Sequence, residues 1–138
     1  MSGFSNSLAN SIINNTLRGQ AASSVRTTYF ALFTSDPTDA FTAGTEVAAG
    51  WYVRRATGAF AAPTNGVTYN TTQVLFPAVT GSSVTITHIG IVEGSSASDG
   101  TATLLYSQPL TTSKALTIND VFVVDSTGSS GDFTLTLL

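Results

Sequence analysis

Val84-Thr85-Ile86-Thr87-His88-Ile89-Gly90-Ile91-Val92 is the stretch on which the fold turns. At the two-residue period of a strand, Val84 and Ile86 share one face, whereas Ile89 and Ile91 fall on the other. Two readings follow: either both faces of this strand are buried, or a bulge near Thr87-His88 shifts the phase.

Upstream, residues 29–33 (Tyr-Phe-Ala-Leu-Phe) are continuously apolar, the mark of a strand covered on both sides. Ser35-Asp36-Pro37-Thr38-Asp39 ends it with turn residues, and residues 39–50 read as a long loop. A second strand is expected over residues 51–60. A third, over residues 67–76, follows the Asn65-Gly66 turn signal. Pro77 does not suit the interior of a central strand.

Downstream, Gly-Ser-Ser-Ala-Ser-Asp-Gly at residues 94–100 reads as a hairpin loop, followed by strands over 102–110 and 115–124. Residues 126–131 form a low-complexity loop. The terminal stretch 132–138 alternates cleanly, with Phe133, Leu135 and Leu137 on one side and Thr134 and Thr136 on the other. About seven short strands separated by turn signals predict a mainly β fold, an antiparallel β-sandwich.

The N-terminus is different. Phe4, Leu8, Ile12, Ile13 and Leu17 lie on one drifting helical face, with Arg18 and Gly19 as stop signals. The other face is Ser and Asn, indifferent helix formers, so this short helix needs docking to be stable. The organisation expected is residues 1–27 as helix and connector, and residues 28–138 as the sandwich.

Composition narrows the function. Of 138 residues, 42% are hydrophobic and only 9% charged, against about 25% charged in an average soluble domain. That is not the profile of a disordered chain. The five cations, Arg18, Arg26, Arg54, Arg55 and Lys114, form no patch able to neutralise phosphates, so no nucleic-acid partner is expected. Cysteine is absent, which removes disulfides, thiolate chemistry and cysteine metal sites. No signal peptide and no membrane-spanning run are read in the chain.

The remaining chemistry is thin. His88 is the only histidine, and no G-x-S-x-G elbow accompanies it. It reads as a histidine held by packing and one hydrogen bond. Asp36, Asp39 and Glu46 fall in or beside one loop without EF-hand spacing, and Asp36 is placed to cap its own turn. Asp99, Asp120, Asp125 and Asp132 lie at turns. Arg54 and Arg55 are adjacent in a strand and so point to opposite faces: one to solvent or a partner, the other to a carboxylate. Trp51 and Tyr52 serve as core or interface anchors, or stack on a sugar ring. Asn14-Asn15-Thr16 and Asn70-Thr71-Thr72 match the glycosylation pattern, which matters only in a secretory pathway. No catalytic, cofactor or metal site is expected. The candidate interface residues are Phe4, Leu8, Ile12, Trp51, Tyr52, Arg54 and Arg55.

Several blocks occur in a telling order: Tyr29-Phe30-Ala31-Leu32-Phe33-Thr34-Ser35-Asp36-Pro37, Gly44-Thr45-Glu46-Val47, Gly50-Trp51-Tyr52-Val53-Arg54-Arg55, Val74-Leu75-Phe76-Pro77, Thr87-His88-Ile89-Gly90-Ile91, Leu104-Leu105-Tyr106 and Leu110-Thr111-Thr112-Ser113-Lys114. With the N-terminal helix ahead of them, they resemble small virion structural proteins of tailed bacteriophages, the tail-fibre-like and capsid decoration (cement) proteins. The resemblance implies a non-enzymatic building block, made in the host cytoplasm and carried in the virion in many copies. Its partners would be the major capsid protein or other virion proteins.

The composition agrees, because a surface of Thr, Ser, Ala and Gly is buried with few charges to desolvate. The leading expectation is a decoration protein that stabilises the head by bridging capsid subunits. The alternative is a tail-fibre or tail-tip component that attaches to host glycan; a small hydrolase using His88 is the third reading. A symmetric homo-oligomer is expected, with a trimer as first guess.

Overall fold

In the computed structural model, which describes residues 3–21, 27–127, 130–131 and 133–136, the 84–92 stretch runs through the centre of a five-stranded antiparallel sheet. Its strands are β1 (Gly3–Phe4), β2 (Thr27–Phe33), β3 (Arg55–Ala56), β6 (Val84–Gly94) and β7 (Thr103–Leu116), in the order β1-β7-β6-β2-β3. Helix α1 (Asn6–Leu17) follows β1. The remaining strands pair two by two: β4 (Val67–Tyr69) with β11 (Thr134–Thr136), β5 (Val74–Leu75) with β8 (Val123–Val124), and β9 (Ser126–Thr127) with β10 (Ser130–Gly131).

Both readings of the 84–92 stretch hold, in different halves. The register slips between Ile86 and His88: Ile86 faces Lys114 but His88 faces Pro109, so Thr87 alone opposes residues 110–113 of β7. This bulge brings Ile86 into the same core as Ile89 and Ile91. Beyond it the strand is covered on both sides. Ile89 and Ile91, paired with Leu32 and Phe30, face the main core with Val74, Phe76, Val124 and Phe133. On the opposite face Val92 packs with Ala31, Phe33 and Leu104, beneath Tyr29, Phe41 and Ala102.

This arrangement makes a β-sandwich, with the second layer supplied by the β4–β11 and β5–β8 ribbons and their flanking loops. Phe30, Phe33 and Phe133 are fully buried, and each stabilises the fold by about 2–3 kcal/mol through burial. Phe133 joins the layers, its ring 5.3 Å from Phe30 and 5.6 Å from Tyr106.

Gly90 marks the tightest approach between strands. A Cβ there would lie 2.8 Å from the Tyr106 carbonyl oxygen and 2.9 Å from the Phe33 ring. Only glycine lets β2, β6 and β7 close on this face.

Several expected elements are corrected. Phe4 is not helical: it pairs with Tyr106 in β1, and the helix begins at Asn6 with Ser5 as its N-cap. Residues 51–60 yield only the short β3, because Trp51 and Tyr52 turn inward and Gly58 takes a positive φ of 68°. Residues 67–76 divide into β4 and β5 across a bend at Thr72, where Asn70 turns its side chain inward. The strands expected over 102–110 and 115–124 are redistributed. β7 runs through both starts, and a turn at Ile118-Asn119, with Asn119 at φ 74°, precedes β8. In the terminal strand Phe133 is buried and Leu135 half-buried. Asp132, Leu137, Arg26, the 22–26 connector and residues 128–129 of the low-complexity loop lie outside the described residues.

Candidate interface

α1 carries no charged residue and is anchored chiefly at its start. Ser5 caps it by accepting from Leu8 N at 3.2 Å, and Ser5 Oγ donates to the Leu104 carbonyl. Ser5 N donates to Leu105 O at 2.9 Å, and Asn6 N to Asp39 O at 2.9 Å. These bonds tie the helix to β7 and to the loop after β2. That loop is itself built on strain: Thr38 and Phe41 adopt φ near 56–57°, held by Phe41 packing edge-on to Phe33 at 6.1 Å.

Of the candidate residues on this segment, Phe4 lies edge-on to Tyr106 at 5.9 Å. Leu8 and Ile12 are half-buried and face a cleft of about 470 Å³ shared with Leu105 and Glu93. The exposed apolar residues of α1 are instead Ile13, at 48%, and Leu17, at 80%. The sequence places them on the same drifting stripe as Leu8 and Ile12, and only the docking direction separates the two pairs.

The second candidate cluster closes around Glu46. Arg54 Nε donates to Glu46 Oε1 and an Arg54 terminal nitrogen to Oε2, each at 2.7 Å, a bidentate pair. The Tyr52 hydroxyl donates to Glu46 Oε1 at 2.7 Å and accepts from Leu32 N at 3.1 Å. The other terminal nitrogen of Arg54 reaches the Asp99 carbonyl at 2.9 Å.

Burial, reinforced by the Glu46 carboxylate, holds the Tyr52 phenol well above the ordinary tyrosine range. The Glu46 hydrogen bond holds the Arg54 guanidinium further into its charged form. Hydrogen bonds from the Ser95 backbone and from Thr101 hold the Asp99 carboxyl well below the usual carboxylate range.

Two neighbouring segments, the residue 46 bridge to β2 and the approach to β3, are thus locked to each other and to the distant 94–101 loop. The sequence expectation that one arginine of the Arg54-Arg55 pair takes a carboxylate is met by Arg54, and Arg55 is exposed on the edge strand β3. Trp51 is core, 8% exposed, with its ring 6.0 Å from Tyr52. Its Nε1 is buried without a hydrogen-bond partner among the described residues. Tyr52 stacks on Phe76 at 6.1 Å and 7°. In this chain, then, neither aromatic presents a free face of the kind a sugar would stack on.

The remaining polar candidates fall into place. His88 is half-buried, its Nδ1 2.9 Å from the Thr87 hydroxyl, and burial lowers its pKa. Asp36 accepts from Thr38 N at 2.8 Å, the turn cap its position suggests. Asp36, Asp39 and Glu46 do not converge, and among the described residues no group of three His, Asp or Glu side chains is arranged to hold a metal. Asn70 is fully buried, donating to Asp125 O at 2.8 Å and accepting from Phe133 N at 3.1 Å, so its amide is a structural clamp.

A surface that sequence reasoning missed lies on the β5–β8 ribbon. Leu75 and Val123, direct cross-strand partners, are 52% and 38% exposed, with Val121 at 41% beside them. The alternation Val123-Val124 carries this signal, but without the pairing to Leu75 it is indistinguishable from core. No described helix is long and apolar enough to cross a membrane.

A family model described as podophage GP4 fiber I protein gp80 matches residues 3–131 of the chain. No curated protein matches it. The match spans the helix, the five-stranded sheet, the β5–β8 ribbon and the Glu46–Arg54 cluster, and ends before β11. The chain therefore belongs to the family of the podophage GP4 fiber I protein gp80, and is a structural protein of the phage virion.

Proposed function

We propose that this protein is a non-enzymatic structural subunit of the phage tail fibre. The carrying observation is the family match over residues 3–131, whose description is that of a fibre protein. It supports the fibre reading, which the sequence alone placed second, and lends no support to a decoration role on the head. The described side chains are consistent with a building block. The ionisable residues with the strongest contacts, Glu46, Arg54 and Asp99, join loops to one another, and the exposed large apolar residues sit on α1, on the β5–β8 ribbon and on the 118–121 turn that leads into it.

Gold-labelled antibody raised against the purified chain tests this on intact virions. Label confined to fibres supports the proposal. Label spread over the head surface, with a copy number rivalling that of the shell protein, would return the decoration reading to first place.

A further inference from the structure

We propose that the cleft between β7 and β8 is a binding site for a small amphipathic anion, an alkyl or aryl chain that ends in a carboxylate. The register of the sheet creates the space. β7 runs from Pro109 to Lys114 while β6 runs only from His88 to Ile86, so the surplus backbone at residues 110–113 arches out of the ladder. The arch and the segment 121–124 wall a cavity of about 430 Å³. Pockets that take small ligands span about 300–1,000 Å³.

The floor of the cleft is core. Ile89, Leu116, Phe122 and Val124 line it, and all four belong to the main buried cluster. Elsewhere the two layers close over such side chains. Here the arch holds the wall open, so an apolar guest would extend the core rather than lie on the surface.

The rim fixes the sign of the guest's head. Gln108, Thr111 and Thr112 supply hydrogen-bond donors, and Lys114 supplies the only charge. No carboxylate lines the cleft, although Asp and Glu outnumber Lys and Arg by eight to five in the whole chain. Among the described residues Lys114 makes no salt bridge. An unpaired ammonium beside an apolar floor attracts a negative group attached to an apolar body and disfavours a cationic one. The inference does not rest on the fibre reading, since it concerns the cleft alone.

Decanoate is the probe, titrated calorimetrically into the purified full chain below its micelle concentration. It should bind one to one and saturably, and added salt should weaken it. Acetate, the head without the chain, should give no saturable binding. Decyltrimethylammonium, with the same chain and the opposite charge, should bind more weakly than decanoate. Lys114→Gln should weaken decanoate about threefold to fivefold, the worth of one exposed ion pair, without weakening decyltrimethylammonium. Thr112→Trp, which fills the cleft from its exposed arch, should abolish decanoate binding while the β-sheet circular dichroism is unchanged. Leu75→Gln, on the ribbon outside the cleft, should bind as the wild type does. Decanoate that fails to saturate, or decyltrimethylammonium that binds as tightly, would overturn the proposal. So would binding that survives Thr112→Trp, or an affinity that Leu75→Gln lowers and Lys114→Gln does not. Should Thr112→Trp fail to fold, the Lys114→Gln and decyltrimethylammonium comparisons decide.

Discussion

The Tyr52 hydroxyl stands in for a missing strand residue at the edge of β2: it accepts the Leu32 N–H at 3.1 Å and donates its own hydrogen bond to Glu46 at 2.7 Å. Glu46 in turn holds Arg54 through both carboxylate oxygens. A backbone amide in the central sheet is therefore satisfied by a side-chain chain that ends in an ion pair. Removing one member leaves the others unmatched in a site where the Arg54 and Glu46 side chains are only 11% and 19% exposed.

Arg54→Met should destabilise the fold by about 2 kcal/mol, because Glu46 loses its charged partner while staying largely covered. Tyr52→Phe should lose about 1–2 kcal/mol through the unsatisfied Leu32 amide. Urea unfolding followed by Trp51 fluorescence measures both, and the double variant should lose less than the sum, since the two act through Glu46.

Gly90→Ala should be among the most harmful small substitutions. Its methyl would meet the Tyr106 backbone oxygen at 2.8 Å, which cannot move without disturbing the β6–β7 ladder. A loss of about 2–3 kcal/mol is expected, seen as a lowered midpoint in thermal unfolding. Gly100→Ala, where nothing lies within 4 Å of the added carbon, should be close to neutral.

Asn70→Leu fills the site but strands the buried Phe133 N–H and takes one donor from the Asp125 carbonyl. About 2–3 kcal/mol should be lost, the cost of leaving buried backbone groups unpaired. Hydrogen exchange should accelerate at the Phe133 amide before it does in β6.

Alkali should unfold the protein through Tyr52. Its folded-state pKa is raised, so its contribution is fully present below the unfolded phenol value, about 10, and is lost as the pH rises beyond it. Absorbance titration at the phenolate band should show Tyr52 ionising only together with loss of native Trp51 fluorescence. In Tyr52→Phe, that late step should vanish.

Acid should act on Asp99 in the opposite sense. Its folded-state pKa is depressed, so its contribution is present above the ordinary carboxylate range and disappears as the pH falls towards the folded value. In Asp99→Asn the 94–101 loop should exchange its Ser95 and Thr101 amides faster at neutral pH, and the difference from wild type should shrink in strong acid.

The central strands were legible because their patterns are local. The phase change between Ile86 and Ile89 and the unbroken run Tyr29–Phe33 each carry their own burial signature, and the sandwich follows from them. The stretch 51–60 was not legible, because Trp51 and Tyr52 have strand-like composition, while what turns Tyr52 inward is a loop carboxylate, Glu46, outside any strand pattern and the remote ring of Phe76. The candidate surface was half legible. Periodicity finds the apolar stripe of α1, but which part of it docks depends on Leu105 and the Ser5 cap. The Leu75–Val123 face depends on a pairing between residues far apart, which no local pattern reveals.

The five-stranded sheet is bounded on each flank by a strand of only two residues, β1 and β3. Where β1 stops, the exposed rim of β7 carries Pro109, the displaced 110–113 segment and Lys114. Flat, regular borders recruit neighbouring chains into open-ended ribbons, and proline, lysine and irregular backbone discourage this. A protein so poor in charge lacks electrostatic repulsion as a safeguard against runaway polymerisation. Its short, irregular borders take over that role, because they offer a neighbouring sheet no long, regular edge to extend.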